Sequence, residues 1–428
     1  MGTLTKTTRA IIGLFTSPDP SKPNVPEIKP LTTLQQYLDQ SYKKVKGEGK
    51  LGPDLGLKTC VPISIFLRSK AGQHIYAGCS DTIAGQRHHL DEEECFSASL
   101  IKVAAMFAAF KLRAEARALI ADIQAGTVSS TNQSDFLNNK LSAKFHPNDA
   151  VPNIASATGI QKSPSLGDIL VVTGFPTASA LAANFTADFR NHLRKMIIPS
   201  DNCSAGECIW RLSYPYINVK LMEAGFFDKN SMKGIWLCGD YIDASCFNSA
   251  KKQKYITIDT INDCDQATPP FCRSAQDTTS KQMASLFLQI LLETLVDPAS
   301  SKEMRTLLQE GQQGSDQVVP PVTEAPIWNA PPPHRSYLTR LATIPLLFDI
   351  DAVKVGFGPI KTDPQRPVNI RSEGIIIKWK DVSQLGADST GEAAVCWQNI
   401  PENISLDGVA EIINTSISNF LVQAPLTP

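Results

Sequence analysis

The chain has no excess of charge of either sign, because 41 Lys and Arg residues stand against 42 Asp and Glu residues in 428. Basic and acidic residues are scattered, so no basic patch of the kind that binds nucleic acid or an anionic membrane stands out. No apolar run is long enough to cross a bilayer. These absences favour a small molecule or a peptide as substrate, with no nucleic-acid partner and no membrane span.

Metal-ligand and phosphate-binding patterns are also missing. There is no Cys-x-x-Cys pair, no Cys/His cluster with zinc-ligand spacing and no glycine-rich phosphate loop. His88 and His89 precede the acidic run 91–94, but such a charge run before a helix is usually solvated. We therefore expect neither a metal nor another cofactor.

The ten cysteines leave the location of the protein open. The apolar run 10–15 near the N-terminus is shorter than the core of most signal peptides. Close cysteine pairs would form disulfide loops in an exported protein and free thiols in a cytoplasmic one. These pairs are Cys203 with Cys208, Cys238 with Cys246, and Cys264 with Cys272.

What the chain does contain is three short motifs in order: Ser-Leu-Ile-Lys at 99–102, Ser-Asp-Asn at 200–202 and Lys-Val-Gly at 354–356. Ser-x-x-Lys alone is weak, since it recurs at 41–44 and 249–252. A serine hydroxyl becomes a good nucleophile only when a neighbour removes its proton. Residues three apart share one face of a helix, so Lys102 can reach the Ser99 hydroxyl, and burial would favour the neutral amine that a base requires. The alternative interpretation is a serine N-cap followed by an ordinary helix lysine.

The sequence around these motifs resembles class A serine β-lactamases and their penicillin-binding relatives. The resemblance rests on Glu-Cys-Phe-Ser-Ala-Ser-Leu-Ile-Lys-Val-Ala-Ala-Met at 94–106, on Ile-Ile-Pro-Ser-Asp-Asn at 197–202, and on the segment from Arg335 through the third motif to 376. It covers roughly residues 55–425. We expect the three motifs to converge at one active site.

The resemblance implies a role for each motif residue. Ser99 would be the nucleophile, Lys102 the general base, and Ser200 the group that passes a proton to the leaving group. Asn202 would position the substrate and Lys102, while Asp201 would serve the hydrogen bonds of its own turn, which can also cap the next helix. Lys354 would hold a substrate carboxylate at the end of a strand. Gly356 would allow close approach, and the Phe357 N–H would complete an oxyanion hole with that of Ser99. Lys361 is the rival for the position of Lys354.

The pattern of apolar residues predicts a mixed α/β (α+β) fold, with an antiparallel sheet flanked by helices and an inserted all-α domain. Helices are predicted at 178–195 and 204–224, among others, and residues 127–165 are predicted to form an insertion or a long surface excursion. The expected organisation is an arm (1–30), an α/β domain from both chain ends (31–125 and 335–428), a helical domain (126–310) and a Pro-rich connector (311–334).

Two departures from the family bear on the reaction. Val355 replaces the hydroxyl residue of Lys-Thr-Gly, and residues 236–279 contain no glutamate, although class A enzymes carry there the glutamate that activates the hydrolytic water. Asp240 is the best-placed substitute, although a solvated loop aspartate is the plainer interpretation.

The leading hypothesis is therefore a β-lactamase- or DD-peptidase-like serine hydrolase that acts on an amide or ester and deacylates β-lactams poorly. The alternatives are a catalytically degenerate scaffold of the same fold, an esterase or D-amino-acid peptidase, and a Cys-based redox or metal protein.

Overall fold

A computed structural model describes most of the chain. The residues that it describes are 28–30, 32–52, 60–68, 74–83, 85–145, 163–228, 231, 233–237, 277–313, 336, 338, 346–360, 368–381 and 390–423. The chain divides into two compact units: Met1–Cys95 with Thr279–Leu295 and Ser336–Pro428, and Phe96–Thr278 with Val296–Arg335.

The longer helices are α1 (Thr32–Gly47), α2 (Lys102–Gln124), α3 (Ala187–Ile197), α4 (Asn202–Leu212), α5 (Tyr214–Glu223), α6 (Ser280–Leu291), α7 (Pro298–Gln313) and α8 (Asp407–Gln423). The strands are β1 (Ile28–Pro30), β2 (Ile63–Arg68), β3 (His74–Gly78), β4 (Ser80–Ile83), β5 (Gln86–His89), β6 (Glu94–Phe96), β7 (Leu170–Thr173), β8 (Ala182–Phe185), β9 (Phe227–Asp228), β10 (Lys233–Gly234), β11 (Asp277–Thr279), β12 (Leu346–Ile360), β13 (Val368–Asp381) and β14 (Thr390–Pro401).

The first unit is built on a six-stranded sheet in the order β1-β3-β2-β14-β13-β12. All neighbouring strands run antiparallel except β1, which runs parallel to β3. Both chain ends contribute strands, as the sequence predicted. The expected fold class, an antiparallel sheet flanked by helices, is confirmed.

Side chains alternate between the two faces of this sheet. One face, which includes Val353 and Val355, forms a continuous apolar core with α1 and α8. The other face packs against α6, where the Ser64 and Ser280 hydroxyl oxygens lie 2.8 Å apart. The sheet is therefore covered by helices on both sides.

The face under α6 carries a cross-strand row of polar and small residues. Lys354 lies opposite Gly374, Gly374 opposite Cys396, and Cys396 opposite Ser64. Gly374 is required there because a Cβ atom would lie 2.4 Å from the ring of Phe287 on α6. The small residues of this row allow α6 to pack closely on the sheet.

The second unit is centred on α2. The five consecutive residues Val103–Phe107 are all buried, so the helix is covered on every side, as its sequence predicted. It contacts α3, α4, α5 and α7. Two small hairpins, β7–β8 and β9–β10, accompany these helices and were not predicted.

The boundaries of the two units differ from the expected domains at two helices. We expected α2 to belong with the sheet and α6 with the helical domain. Instead α2 lies in the second unit and α6 lies in the first. The reason for α6 is its packing, since its buried face meets the sheet at β2, β13 and β14.

Two local predictions need correction. The helix predicted from Ala178 starts at Ala187, because the intervening residues form a 3₁₀ turn and β8, and Thr186 caps the helix by accepting from Phe189 N–H. The helix predicted over 204–224 is two helices that break at Ser213, where φ is +69°. Within the predicted insertion or surface excursion, residues 133–144 form short helical segments that bury Phe136.

The described cysteines include both free thiols and one residue that forms a disulfide bond. Five described cysteines are free and buried: Cys60, Cys79, Cys95, Cys208 and Cys396. Cys203 is disulfide-bonded. The suggested pairing of Cys203 with Cys208 is therefore wrong, and the other two suggested pairs lie outside the described residues.

The close approach of α6 to the sheet gives a stability test. We expect Gly374→Ala to lower the free energy of unfolding by about 1–3 kcal/mol, because the new methyl group overlaps the buried Phe287 ring. Gly47→Ala is the matched control, since nothing lies within 4 Å of its Cβ position. Urea denaturation of both variants measures the effect. Equal stability of the two would contradict the close packing.

Candidate active site

Ser99 lies in a single 3₁₀ turn, Ala98–Ile101, that leads directly into α2. Its side chain is half-buried. The residue before it, Ala98, has φ of +48°, a conformation that costs energy for any residue with a Cβ atom. The backbone therefore turns sharply at the candidate nucleophile.

Lys102 is the first residue of α2 and is fully buried. Its Nζ donates to Asn202 Oδ1 at 2.7 Å, to Ser200 Oγ at 3.1 Å and to the Ser200 carbonyl oxygen. A buried amine needs acceptors to offset lost hydration. The second motif supplies all three of these oxygens, so the structure brings Lys102, Ser200 and Asn202 together.

The Ser-Asp-Asn turn is also a helix cap, as expected. Asp201 precedes α4, and its Oδ2 accepts from Ser204 N–H at 2.7 Å. Ser200 has φ of +54°, so both its carbonyl and its hydroxyl face the Lys102 amine. Asn202, although exposed, has its side-chain oxygen on the same amine. One turn thus caps a helix and binds a buried lysine.

Lys354 lies in the first unit, in the middle of the fifteen-residue β12 and not at a strand end. Only 2% of it is exposed, and its Nζ donates to the Val355 carbonyl at 3.3 Å. Burial lowers the pKa of Lys354 to about 7. Near neutral pH the Lys354 amine is therefore present in both its charged and its neutral form.

The structure places the remaining candidates as follows. Gly356 and Phe357 follow Lys354 on β12, opposite Ser372 and Arg371 of β13. They belong to the first unit, whereas Ser99, Lys102, Ser200 and Asn202 belong to the second. Asp240 and Lys361 lie outside the described residues, and the convergence of all three motifs stays a prediction.

Sequence reasoning missed one contact at the site. His192 on α3 lies 3.2 Å, through Nδ1, from the hydroxyl of Ser204 in the first turn of α4. No spacing rule links the two positions, because the contact depends on how α3 and α4 pack. Packing of that kind is not encoded in a local pattern.

Two general features of the described residues bear on function. Every helix in that part of the chain is too short or too polar to cross a membrane. Within the same residues, no group of three or more His, Cys, Asp or Glu side chains is arranged to hold a metal ion.

Residues 160–324 match the Beta-lactamase enzyme family. This match confirms the resemblance to the β-lactamase superfamily. The matched segment contains the Ser-Asp-Asn motif, but it begins after Lys102 and ends before Lys354. No curated protein sequence matches the chain.

Solved structures of PBP-A and of beta-lactamases are also similar to this chain. PBP-A is 13% identical with a TM-score of 0.39, covering 92% of this chain and 98% of its own. A beta-lactamase from Sphaerobacter thermophilus is 11% identical with a TM-score of 0.36, covering 92% and 98%. One from Xanthomonas campestris pv. campestris is 12% identical with a TM-score of 0.40, covering 91% and 100%.

Buried Lys354 gives a pH-dependent stability prediction. Its pKa is near 7 in the folded protein and near 10.5 in an unfolded chain, so the unfolded state binds more protons between these values. The stability cost of Lys354 is therefore largest at acid pH and shrinks as pH rises. Lys354→Met should stabilise the protein at about pH 6, and the gain should fall by roughly 2–3 kcal/mol at about pH 9.

Urea denaturation at the two pH values measures this change. Lys378→Met is the control, since Lys378 lies on the neighbouring strand β13 with 44% of its side chain exposed. A stabilisation by Lys354→Met that does not vary with pH would contradict the lowered pKa.

Proposed function

We propose that the protein is a serine hydrolase of the β-lactamase type that forms an acyl-enzyme on Ser99, with Lys102 as general base. The observation that carries this proposal is the cluster formed by Lys102, Ser200 and Asn202. Two motifs about a hundred residues apart in sequence meet at one buried amine. The family match over the second motif supports the same assignment.

The proposed acylation uses Lys102 first as a base and then as a proton donor. A neutral Lys102 amine has two N–H bonds and one lone pair, so it donates to only two of the three oxygens around it. Its lone pair takes the proton of the Ser99 hydroxyl as the serine oxygen attacks the carbonyl carbon of an amide or ester. The carbon–nitrogen or carbon–oxygen bond of the substrate then breaks. Ser200 Oγ lies 3.1 Å from Lys102 Nζ, so the proton can pass from the lysine through Ser200 to the leaving group.

Asn202 has a positioning role in this proposal. Its Oδ1 accepts from Lys102, which fixes the amine against the Ser200 side of the turn. The strained backbone at Ala98 likewise has a positioning role, because it sets the direction in which the chain carries Ser99 into α2. The roles that the resemblance implies for Lys354, Gly356 and Phe357 stay predictions.

Covalent labelling tests the nucleophile. Ser99→Ala should abolish labelling by a fluorescent penicillin or a fluorophosphonate, because no hydroxyl remains to form the ester. Lys102→Met should slow labelling by roughly 10²–10⁴-fold, since it keeps the bulk and removes the base.

Ser41→Ala is the matched control, because Ser41 opens another Ser-x-x-Lys pattern but is buried within α1. It should label as the wild type does. Full labelling of Ser99→Ala would refute the assignment, and no labelling of the wild type would favour the catalytically degenerate scaffold.

The absence of glutamate from residues 236–279 predicts slow deacylation. An acyl-enzyme ester needs a base that deprotonates the attacking water, and a lost general base costs roughly 10²–10⁴-fold in rate. We expect a burst of nitrocefin hydrolysis followed by little turnover, with an adduct on Ser99 that persists in intact-protein mass spectra. A class A enzyme that carries the loop glutamate is the comparison. Rapid, saturable turnover would contradict the prediction and would direct attention to Asp240.

A further inference from the structure

The Ser-Asp-Asn turn is held by more than its own residues. Asp201 N–H donates to the Lys195 carbonyl at the end of α3, at 2.9 Å, and Asp201 Oδ2 accepts from Ser204 N–H on α4. Ser204 is buried, with 2% exposure, and its hydroxyl lies 3.2 Å from His192 Nδ1 on α3. The turn is therefore bonded to α3 on one side and to α4 on the other, and His192 and Ser204 join the two helices beside it.

A non-glycine residue keeps a left-handed backbone conformation only where its surroundings enforce it. Ser200 has such a conformation, and it is this conformation that turns its carbonyl and hydroxyl oxygens toward Lys102. The contact between His192 and Ser204 lies just beyond the turn, where it can prevent α4 from moving away from α3.

We propose that His192 is a positioning residue that, through the Ser204 hydroxyl, holds the first turn of α4 against α3 and so keeps Ser200 and Asn202 on Lys102. The effect of His192 on catalysis rests on the proposed function. The effect of His192 on the order of the turn does not.

The charges around His192 select one protonation state. Burial lowers its pKa, so the ring is neutral at neutral pH. Its Nε2 lies 3.7 Å from Asp188, which favours the tautomer with the proton on Nε2 and leaves Nδ1 to accept from the Ser204 hydroxyl. The other charged groups that act on the ring are Lys195 on α3 and Glu207 and Arg211 on α4.

Protonation of His192 would convert Nδ1 from an acceptor into a donor. The Ser204 hydroxyl would then have to rotate, and the link between α3 and α4 would change. The hydrogen bond from the Ser204 hydroxyl to Nδ1 thus requires a neutral His192 ring, and acid conditions should loosen the turn.

The experiment compares four single variants, and the double variant of His192→Ala with Ser204→Ala, with the wild type. His192→Ala removes the acceptor. His192→Asn places a non-titrating amide oxygen where Nδ1 lies. Ser204→Ala removes the partner hydroxyl, and Asn191→Ala is the control at an exposed neighbour on α3.

Hydrogen exchange of the amides of Asp201, Ser204 and Ala205 reports the turn directly. We expect exchange at least about tenfold faster in His192→Ala and Ser204→Ala, and exchange close to wild type in His192→Asn and in the control. Unchanged exchange in His192→Ala would overturn the inference. This readout requires no activity.

The rate of Ser99 labelling reports the catalytic consequence. His192→Ala and Ser204→Ala should each slow labelling by about 10-fold or more, and the double variant should be no slower than either, because both remove one link. His192→Asn should label at a rate close to that of the wild type. Its labelling rate should also fall less steeply than the wild-type rate as the pH is lowered. Additive effects, or no rescue by Asn, would overturn the positioning role. If wild-type Ser99 is not labelled at all, the proposed function fails, and hydrogen exchange alone decides this inference.

Discussion

The burial of the Lys102 amine is the constraint on which the second unit depends. An amine that loses water must regain its hydrogen bonds from the protein, and here the acceptors come from a turn about a hundred residues away in sequence. That requirement accounts for the left-handed conformation of Ser200, and with it for the tight closure between α3 and α4. The hydrogen bonds of Lys102 to the Ser-Asp-Asn turn therefore determine how α3 and α4 pack, because the amine cannot be buried without these acceptors.

Lys354 illustrates a different outcome of burying the same residue type. It lies in a row of polar and small residues under α6, and burial shifts its pKa to about 7. The charge of Lys354 at neutral pH therefore depends on small changes in pH or in its surroundings. Lys102 differs because the oxygens of the Ser-Asp-Asn turn accept hydrogen bonds from its amine. A substrate carboxylate near Lys354 would favour the charged form, so ligand binding and proton uptake would be linked there.

The sequence motifs pointed to side chains that the structure brings together, whereas features that depend on packing were not predicted. The first two motifs were identified, and Lys102, Ser200 and Asn202 do meet. The break between α4 and α5 was missed although Ser213 and Pro215 signal it, since a serine cap and a proline in the first turn mark a helix start.

Other features had no local signal. The sequence placed Lys354 at the end of a strand, whereas β12 runs from Leu346 to Ile360 and has Lys354 in its middle. The contact of His192 with Ser204 depends on the packing of two helices, and no pattern along one helix encodes it.

The buried thiols described above have a practical consequence. Burial raises the pKa of Cys79 and Cys396 in the first unit and of Cys208 in the second, so these groups react slowly with thiol reagents while the protein is folded. Opening of either unit would expose the buried thiols of that unit and restore their ordinary reactivity. The chain thus carries natural chemical reporters from which the unfolding of each unit can be followed separately, without any introduced label.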